Sequence, residues 1–139
     1  MTATFCHQRP VQFRDTDLAG VVHFTAVLAM VEEAWHTWLG SRGLAVHPAA
    51  APEGEEAVGW PVVAVACDYR VPLRFGTTAA VELKVGRASA RSLELVFQVK
   101  APTGLVAEGR YAVACCSPDA DGGWRARPLP ARLIERLAA

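Results

Sequence analysis

Between Val11 and Arg14 the side chains alternate, Val11 and Phe13 to one side and Gln12 and Arg14 to the other. That is the period of a β-strand. The pattern predicts a strand over residues 6–14. Pro10 has no N–H to donate, which puts this strand at a sheet edge or places its start near that point. Residues 15–22 hold Asp15, Asp17 and Gly20 and read as a loop. The period then lengthens. Phe24, Val27, Leu28, Val31, Ala34, Trp35, Trp38 and Leu39 recur at helical spacing, while Glu32, Glu33 and His36 fall mostly elsewhere on the wheel. Gly40 or Gly43 ends that helix. Two tryptophans on one helix need a wide apolar surface opposite them, and a sheet wrapped over the helix supplies it.

Residues 44–58, rich in Ala, Pro, Gly and Glu, read as a loop with no chemistry of its own. Four strand-like runs follow: Val-rich Trp60–Val71, then Ala79–Ala88, Ser92–Ala101 and Leu105–Cys116, the last after a Pro102-Thr-Gly104 turn. A charged, Gly-containing segment, Ser117–Arg127, closes the sheet region, and Pro130–Leu137 reads as a short terminal helix. Consecutive strands joined by tight turns pair antiparallel. One long amphipathic helix on one face of such a sheet is an α+β architecture. A chain of 139 residues makes a single domain, 1–139.

Composition narrows the function classes. Apolar residues make up 52% of the chain and charged residues 20%, against a usual charged fraction of about 25%. The shortage of charge points to apolar surface buried between subunits. A formal net charge of zero leaves no basic stripe for nucleic acid and no polybasic block for a lipid surface. Cys6, Cys67, Cys115 and Cys116 form no C-x-x-C pair, so they read as reduced core or strand residues, with no metal site. No charged n-region with an apolar h-region opens the chain, and no run of about 18 apolar residues could span a membrane. The expectation is a cytoplasmic protein.

Asp17 is the first chemical candidate. It stands a few residues before the long helix, whose first amides point out unpaired and carry partial positive charge. A carboxylate beside such amides could act on a carbonyl whose oxygen they hold. Gly20 would let the backbone approach a ligand closely. Spacing alone favours the plainer alternative, an Asx turn or capping contact at Asp15 or Asp17. His23 could touch substrate or water beside Asp17, or be solvated. Glu33, two to three turns into the helix, could face an acyl pocket or simply water. Arg87, Ser89, Arg91 and Ser92 flank a turn between two strands, where the forked guanidinium suits phosphate and an ordinary hairpin turn is the other reading. His36 and His47 lack supporting context, and the four tryptophans, Trp35, Trp38, Trp60 and Trp124, suit core and interface.

The whole segment Phe13-Arg-Asp-Thr-Asp-Leu-Ala-Gly-Val-Val-His-Phe24 resembles the signature of the 4-hydroxybenzoyl-CoA thioesterase family: an aromatic residue, D-x-D, then x-x-G, a hydrophobic residue and Val before the long helix. Gly59-Trp-Pro-Val-Val63 is similar to the start of that family's second strand, and Cys67-Asp-Tyr-Arg-Val-Pro-Leu-Arg-Phe-Gly76 to the segment before its third. The resemblance covers roughly residues 8–116. It implies a hotdog fold, a five-stranded antiparallel sheet wrapped around one long helix. It further implies acyl-CoA thioester hydrolysis with no cofactor beyond the CoA of the substrate. The second acid of D-x-D, Asp17, would be the catalytic carboxylate, as nucleophile or as general base. Backbone amides near His23 and Phe24 would hold the thioester oxygen. Substrate contacts are expected at Gly20, Val21, Val22 and Trp60, and CoA phosphate contacts at Arg87, Arg91 and Ser92. The family often has Tyr where this chain has Phe24, and Gly-Asp where it has Gly76-Thr77. The resemblance also implies a homodimer or homotetramer with sites across the dimer interface.

The leading reading is hydrolysis of an aromatic or medium-chain acyl-CoA, with a carrier-protein thioester as a further substrate class; the run Phe24–Trp35 looks somewhat like the dihydroxynaphthoyl-CoA branch. A non-catalytic acyl-CoA-binding hotdog module is the alternative, although such sensors usually carry a DNA-binding extension. A hotdog dehydratase or hydratase would want a His–acid pair on the pocket wall, which the Asp-first signature does not offer.

Overall fold

The long helix organises everything else. In the computed structural model, which describes residues 3–51, 53–54 and 56–139, α1 runs Phe24–Ser41 and buries Val27, Met30, Val31, Ala34, Trp35, Trp38 and Leu39. These positions step by three and four, the stripe expected of a helix lying on a sheet. The stripe begins one turn later than the sequence suggested. Phe24 opens the helix and stays 57% exposed. The helix ends where expected: Gly43, at φ 69°, supplies the left-handed residue. The Leu44 amide then reaches back to the Leu39 carbonyl (2.9 Å) and the Gly43 amide to that of Gly40 (3.1 Å).

A five-stranded antiparallel sheet wraps α1, built from β1 (Thr4–Pro10), β2 (Val62–Tyr69), β3 (Thr78–Ala88), β4 (Ser92–Ala101) and β5 (Gly104–Ala114). The strand order is β1-β3-β4-β5-β2. Hairpin neighbours β3–β4 and β4–β5 pair as adjacency predicts, but β2 does not pair with β3. It crosses to the far edge and pairs only with β5, Val65 opposite Tyr111 and Tyr69 opposite Ala107. The α+β architecture, one sheet around one long helix, is the expected one.

The first strand lies earlier than the alternation suggested. β1 ends at Pro10, and Phe13–Asp15 forms a 3-10 turn. Arg9, on the inward side of β1, is buried, so a polar residue occupies a core-facing position and hides the strand's period. Between α1 and β2, residues 52 and 55 of the expected 44–58 loop lie outside the described residues, and Pro48–Ala50 forms a 3-10 turn. The segment after β5 contains a small hairpin, β6 (Cys116–Pro118) with β7 (Trp124–Ala126), too short to give a periodic signal. The terminal helix, α2, is Leu133–Ala138.

An aromatic cluster joins helix and sheet. Phe5 stacks on Trp38 with centroids 5.6 Å apart. Trp35 meets both Trp38 and Trp60 edge to face. The indole N–H of Trp38 donates to the Leu137 carbonyl (3.1 Å), fixing α2 against the core. Trp124 is half exposed on the small hairpin. All four cysteines are free; Cys115 and Cys116 are buried, and Cys6 and Cys67 sit on strands.

No helix among the described residues is long and apolar enough to cross a membrane. The β2 edge differs from the rest of the sheet. Val63 is 61% exposed, and Val62, Val65, Tyr69 and Val71 are exposed with it.

Candidate active site

The segment Asp15–Phe24 folds back on itself as a short ladder. The His23 amide donates to the Asp15 carbonyl (2.9 Å), and Asp17 N–H donates to the Val21 carbonyl (2.9 Å). A bridge pairs Thr16 with Val22 between them. The Gly20 amide closes the tip on the Asp17 carbonyl (3.0 Å). Gly20 sits at φ 73°, a backbone region that disfavours a Cβ, which is why the tip needs glycine. The segment leading into β3 braces the ladder from outside. Val22 N–H donates to the Leu73 carbonyl (2.7 Å), Phe75 N–H to the Gly20 carbonyl (3.3 Å), and Val21 bridges to Arg74.

Asp17 is exposed at the tip. Its Oδ1 accepts from the Ala19 amide at 2.8 Å and more weakly from the Val21 amide at 3.4 Å. That is an Asx turn, the plainer of the two sequence readings, yet the turn uses one oxygen. Oδ2 has no hydrogen-bond partner among the described residues. One oxygen is held by the turn and the other is not.

At the start of α1 the amides are not equivalent. His23 caps the helix, its Nδ1 accepting from the Thr25 amide (3.3 Å) and meeting the Thr25 hydroxyl at 2.7 Å. The His23 amide is committed to Asp15 and the Thr25 amide to the cap. The Phe24 amide has no partner among the described residues. Of the two amides expected near His23 and Phe24, that of His23 is already bonded within the ladder and only that of Phe24 is uncommitted among the described residues. A residue not singled out in the sequence sits beside it. The Tyr69 hydroxyl, at the end of β2, donates to the Phe24 carbonyl (2.9 Å), and the two rings meet edge to face at 6.4 Å. Burial and the neighbouring Cys67 push the Tyr69 phenol up to about 12, so it remains a donor at neutral pH.

Below the ladder lies an ion cluster that the motif did not reveal. The Arg9 guanidinium grips both oxygens of buried Asp15, Nη1 to Oδ2 at 2.8 Å and Nη2 to Oδ1 at 3.1 Å. Its Nε contacts both oxygens of Glu33 at 3.2 and 3.3 Å. The Gln12 amide adds a 2.7 Å bond to Asp15 Oδ2. Burial works against the charge on Asp15, but Arg9 and the Gln12 amide outweigh it and hold the carboxyl below its ordinary range. Asp15 and Asp17, two residues apart in D-x-D, thus have opposite surroundings. Glu33, expected as a candidate for an acyl pocket, spends its carboxylate on Arg9.

Two further groups of candidates lie elsewhere. Trp60 is buried, with its indole N–H donated to the Ala45 carbonyl (3.2 Å) and its ring against Trp35. It is a core residue, not an exposed contact. Arg87, Arg91 and Ser92 flank the β3–β4 turn, where Ser89 N–H donates to the Ser92 carbonyl (2.9 Å). β3 begins opposite Pro10 and ends at this turn, so its 11 residues separate the turn from the Asp17 end of the sheet. At about 3.3 Å per residue that is roughly 30 Å. One chain does not bring these arginines to Asp17.

A cavity of about 650 Å³ lies on the sheet face away from α1, among Cys6, Glu82, Lys84, Gln98, Glu108 and Arg110. It includes neither Asp17 nor Phe24. The ladder instead stands on open surface, beside exposed Phe13, Leu18, Phe24 and Phe75. Among the described residues no group of three or more His, Cys, Asp or Glu could hold a metal ion.

Comparison with known proteins gives this geometry a context. A family model described as the thioesterase-like superfamily matches residues 11–137. A 1,4-dihydroxy-2-naphthoyl-CoA hydrolase from Synechococcus sp. (strain CC9605) is 36% identical over 104 residues, 73% of this chain and 69% of that protein. The crystal structure of a 1,4-dihydroxy-2-naphthoyl-CoA thioesterase from Synechocystis superposes with a TM-score of 0.80 at 27% identity, covering 96% of this chain and 95% of the other. The 4-hydroxybenzoyl-CoA thioesterase of Pseudomonas sp. strain CBS-3 shares the fold, with a TM-score of 0.83 at 20% identity over 96% of this chain and 99% of that one.

Proposed function

Since this chain belongs to the thioesterase-like superfamily and is an acyl-CoA thioesterase, we propose that it hydrolyses an aromatic acyl-CoA, with Asp17 supplying the carboxylate and the Phe24 amide holding the thioester oxygen. The observation that carries this reading is the pairing of two unspent groups on one ladder. Among the described residues the Asp17 Oδ2 and the Phe24 N–H have no partners, while the groups around them are committed to each other. As the thioester carbon becomes tetrahedral its oxygen gains negative charge. A fixed N–H at a helix start meets that charge without reorganising. The carboxylate supplies an electron pair either to the carbon directly, giving an anhydride that water then opens, or to a water that attacks in its place. Both routes end in a carboxylic acid and free CoA thiol. An aromatic acyl group is favoured by the relatives that act on dihydroxynaphthoyl-CoA and by the Phe24 and Tyr69 rings beside the free amide.

The exposed β2 edge supports assembly with a second copy. A strand paired on one side only, with Val62, Val63 and Val65 on open surface, is a template for pairing. Joining β2 to the partner's β2 about a two-fold axis would run the two strands antiparallel. That operation reverses the ends of the sheet, so the β3–β4 turn of the partner comes to the end that carries Asp17. In this arrangement the partner's Arg87 and the partner's Arg91 meet the CoA phosphates, which one chain cannot arrange.

Thiol release from a panel of acyl-CoAs tests the reading. Asp17→Asn should keep the fold and lower kcat by about 10²–10⁴-fold, the range for a positioned carboxylate. Wild-type-like turnover in that variant removes Asp17 from the chemistry. Tight binding with no thiol released by the wild type would make the protein a binding module. In a single turnover in ¹⁸O water, label in the Asp17 carboxylate means direct attack, because only an anhydride opened by water at the Asp17 carbon places it there.

A further inference from the structure

The Arg9–Asp15–Glu33 cluster binds three separate parts of the chain. Arg9 lies at the end of β1, Asp15 at the base of the ladder, and Glu33 on α1, more than two turns beyond its start. Arg9 and Asp15 are each 7% exposed. A buried ion pair adds little net stability over well-packed apolar residues of the same volume. What a planar fork gives that an apolar contact does not is orientation. Here it orients the residue on which the proposed site is built. Asp15 uses its side chain to hold Arg9 and the Gln12 amide, and its carbonyl to hold the amide of His23, the residue just before Phe24. Asp17 stands two residues further along the same strand of the ladder as Asp15. The Asp15–His23 bond, together with the Asp17–Val21 bond, holds the strand that carries Asp17 beside the one that leads into Phe24.

We propose that Arg9, Asp15 and Glu33 are positioning residues for the hydrolysis, with Arg9 clamping the base of the ladder to α1 so that the Phe24 amide and the Asp17 carboxylate face one thioester. The proposal rests on the hydrolase reading above and extends it to residues that touch no substrate. It predicts a particular division of kinetic effects. Substrate contacts survive when the clamp is loosened, whereas alignment in the transition state does not. Small misplacements of a catalytic group are costly in rate.

The test uses the full chain with Asp15→Asn, which keeps the shape and removes the charge, and Arg9→Lys, which keeps the charge and removes the fork. Both are assayed well below their own Tm, with thiol release normalised to folded protein. The expected result for each is kcat lower by about 10–100-fold, with KM changed by no more than about threefold. A second readout does not depend on turnover. Hydrogen exchange of the His23 amide, whose acceptor is Asp15, should quicken by about tenfold or more while the buried middle of α1 keeps its protection. A lowered Tm with wild-type kcat and unchanged His23 exchange makes the cluster a stability element only and overturns the proposal. Wild-type kcat in Arg9→Lys overturns the role of the fork. A wild-type chain that releases no thiol from any acyl-CoA overturns the hydrolase reading first, and the catalytic role of the clamp with it. That outcome is recognised because the unmutated protein itself is inert.

Discussion

A backbone donor is awkward to delete, but this one can be removed by Phe24→Pro. Proline is tolerated at the first position of a helix, where its missing N–H costs no helical bond. Phe24 occupies that position, and its amide has no partner to lose among the described residues. The residue before a proline must be extended, and His23 already is, at φ −65° and ψ 144°. The Tyr69 bond also survives, because it goes to the carbonyl of residue 24 and not to its amide. What is lost structurally is the ring. It is 57% exposed, so less than half of the roughly 1.5–3 kcal/mol for burying a Phe is at stake, about 1 kcal/mol. That corresponds to a fall in Tm of about 2–6 °C. The catalytic loss should be far larger, about 10²–10³-fold in kcat, as for other single oxyanion donors. Phe24→Ala removes the ring and keeps the N–H, so it is the control. Thiol release by the two variants is compared at one temperature, with circular dichroism reporting the folded fraction. If Phe24→Pro turns over within about threefold of Phe24→Ala, the Phe24 amide is not the oxyanion donor.

Other expectations follow from the same geometry. Arg9→Met leaves Asp15 buried with only the Gln12 amide, and breaking a buried pair costs about 3–5 kcal/mol at neutral pH. In the wild type the Asp15 carboxyl is held below its ordinary value of 3.8, so its contribution is present above that value and lost as pH falls through the lower, folded one. In Arg9→Met burial without a partner raises that carboxyl instead, and acid relieves the penalty. The gap in Tm between the two proteins should therefore narrow as pH falls from 7 towards about 4; thermal melts at matched protein concentration check this, and a constant gap would contradict it. Val63→Lys with Val65→Lys places the usual blockers of edge pairing on β2. Sedimentation should show a smaller species than the wild type, and thiol release should fall with it; an unchanged species would place the subunit contact elsewhere.

Several elements were legible because their surroundings are uniform. The inward residues of β3 and β4, such as Val81, Leu83, Leu95 and Phe97, all meet the core, so alternation survives in the sequence. The stripe on α1 is equally plain, apart from Phe24, which sits at the helix start, beyond the buried face. β1 was misplaced because Arg9 serves an ion cluster on the face where an apolar residue would advertise a strand. The position of β2 cannot be read from its own composition: its valines suit a central strand, and only the crossing to β5 makes it an edge. At the site, the spacing of D-x-D located both acids but could not say that one is buried and gripped while the other is open. That difference comes from Arg9, six residues upstream, and Glu33, on the next element. Nor could spacing distinguish the three amides at the head of α1. Which one is free depends on what Asp15 and the His23 ring accept.

The distance between Asp17 and the β3–β4 turn has a consequence for genetics. If each site takes its carboxylate from one subunit and its phosphate contacts from the other, two crippled proteins can repair each other. Asp17→Asn alone and Arg87→Ala with Arg91→Ala alone would each give dimers with two defective sites. A mixed dimer concentrates both lesions in one site and leaves the other whole. Random reassortment makes half the dimers mixed, each with one good site of two, so an equal mixture should regain about a quarter of wild-type activity. A subunit of this protein would then be inherited as half an enzyme, and two different loss-of-function alleles in one cell would not add up to a null.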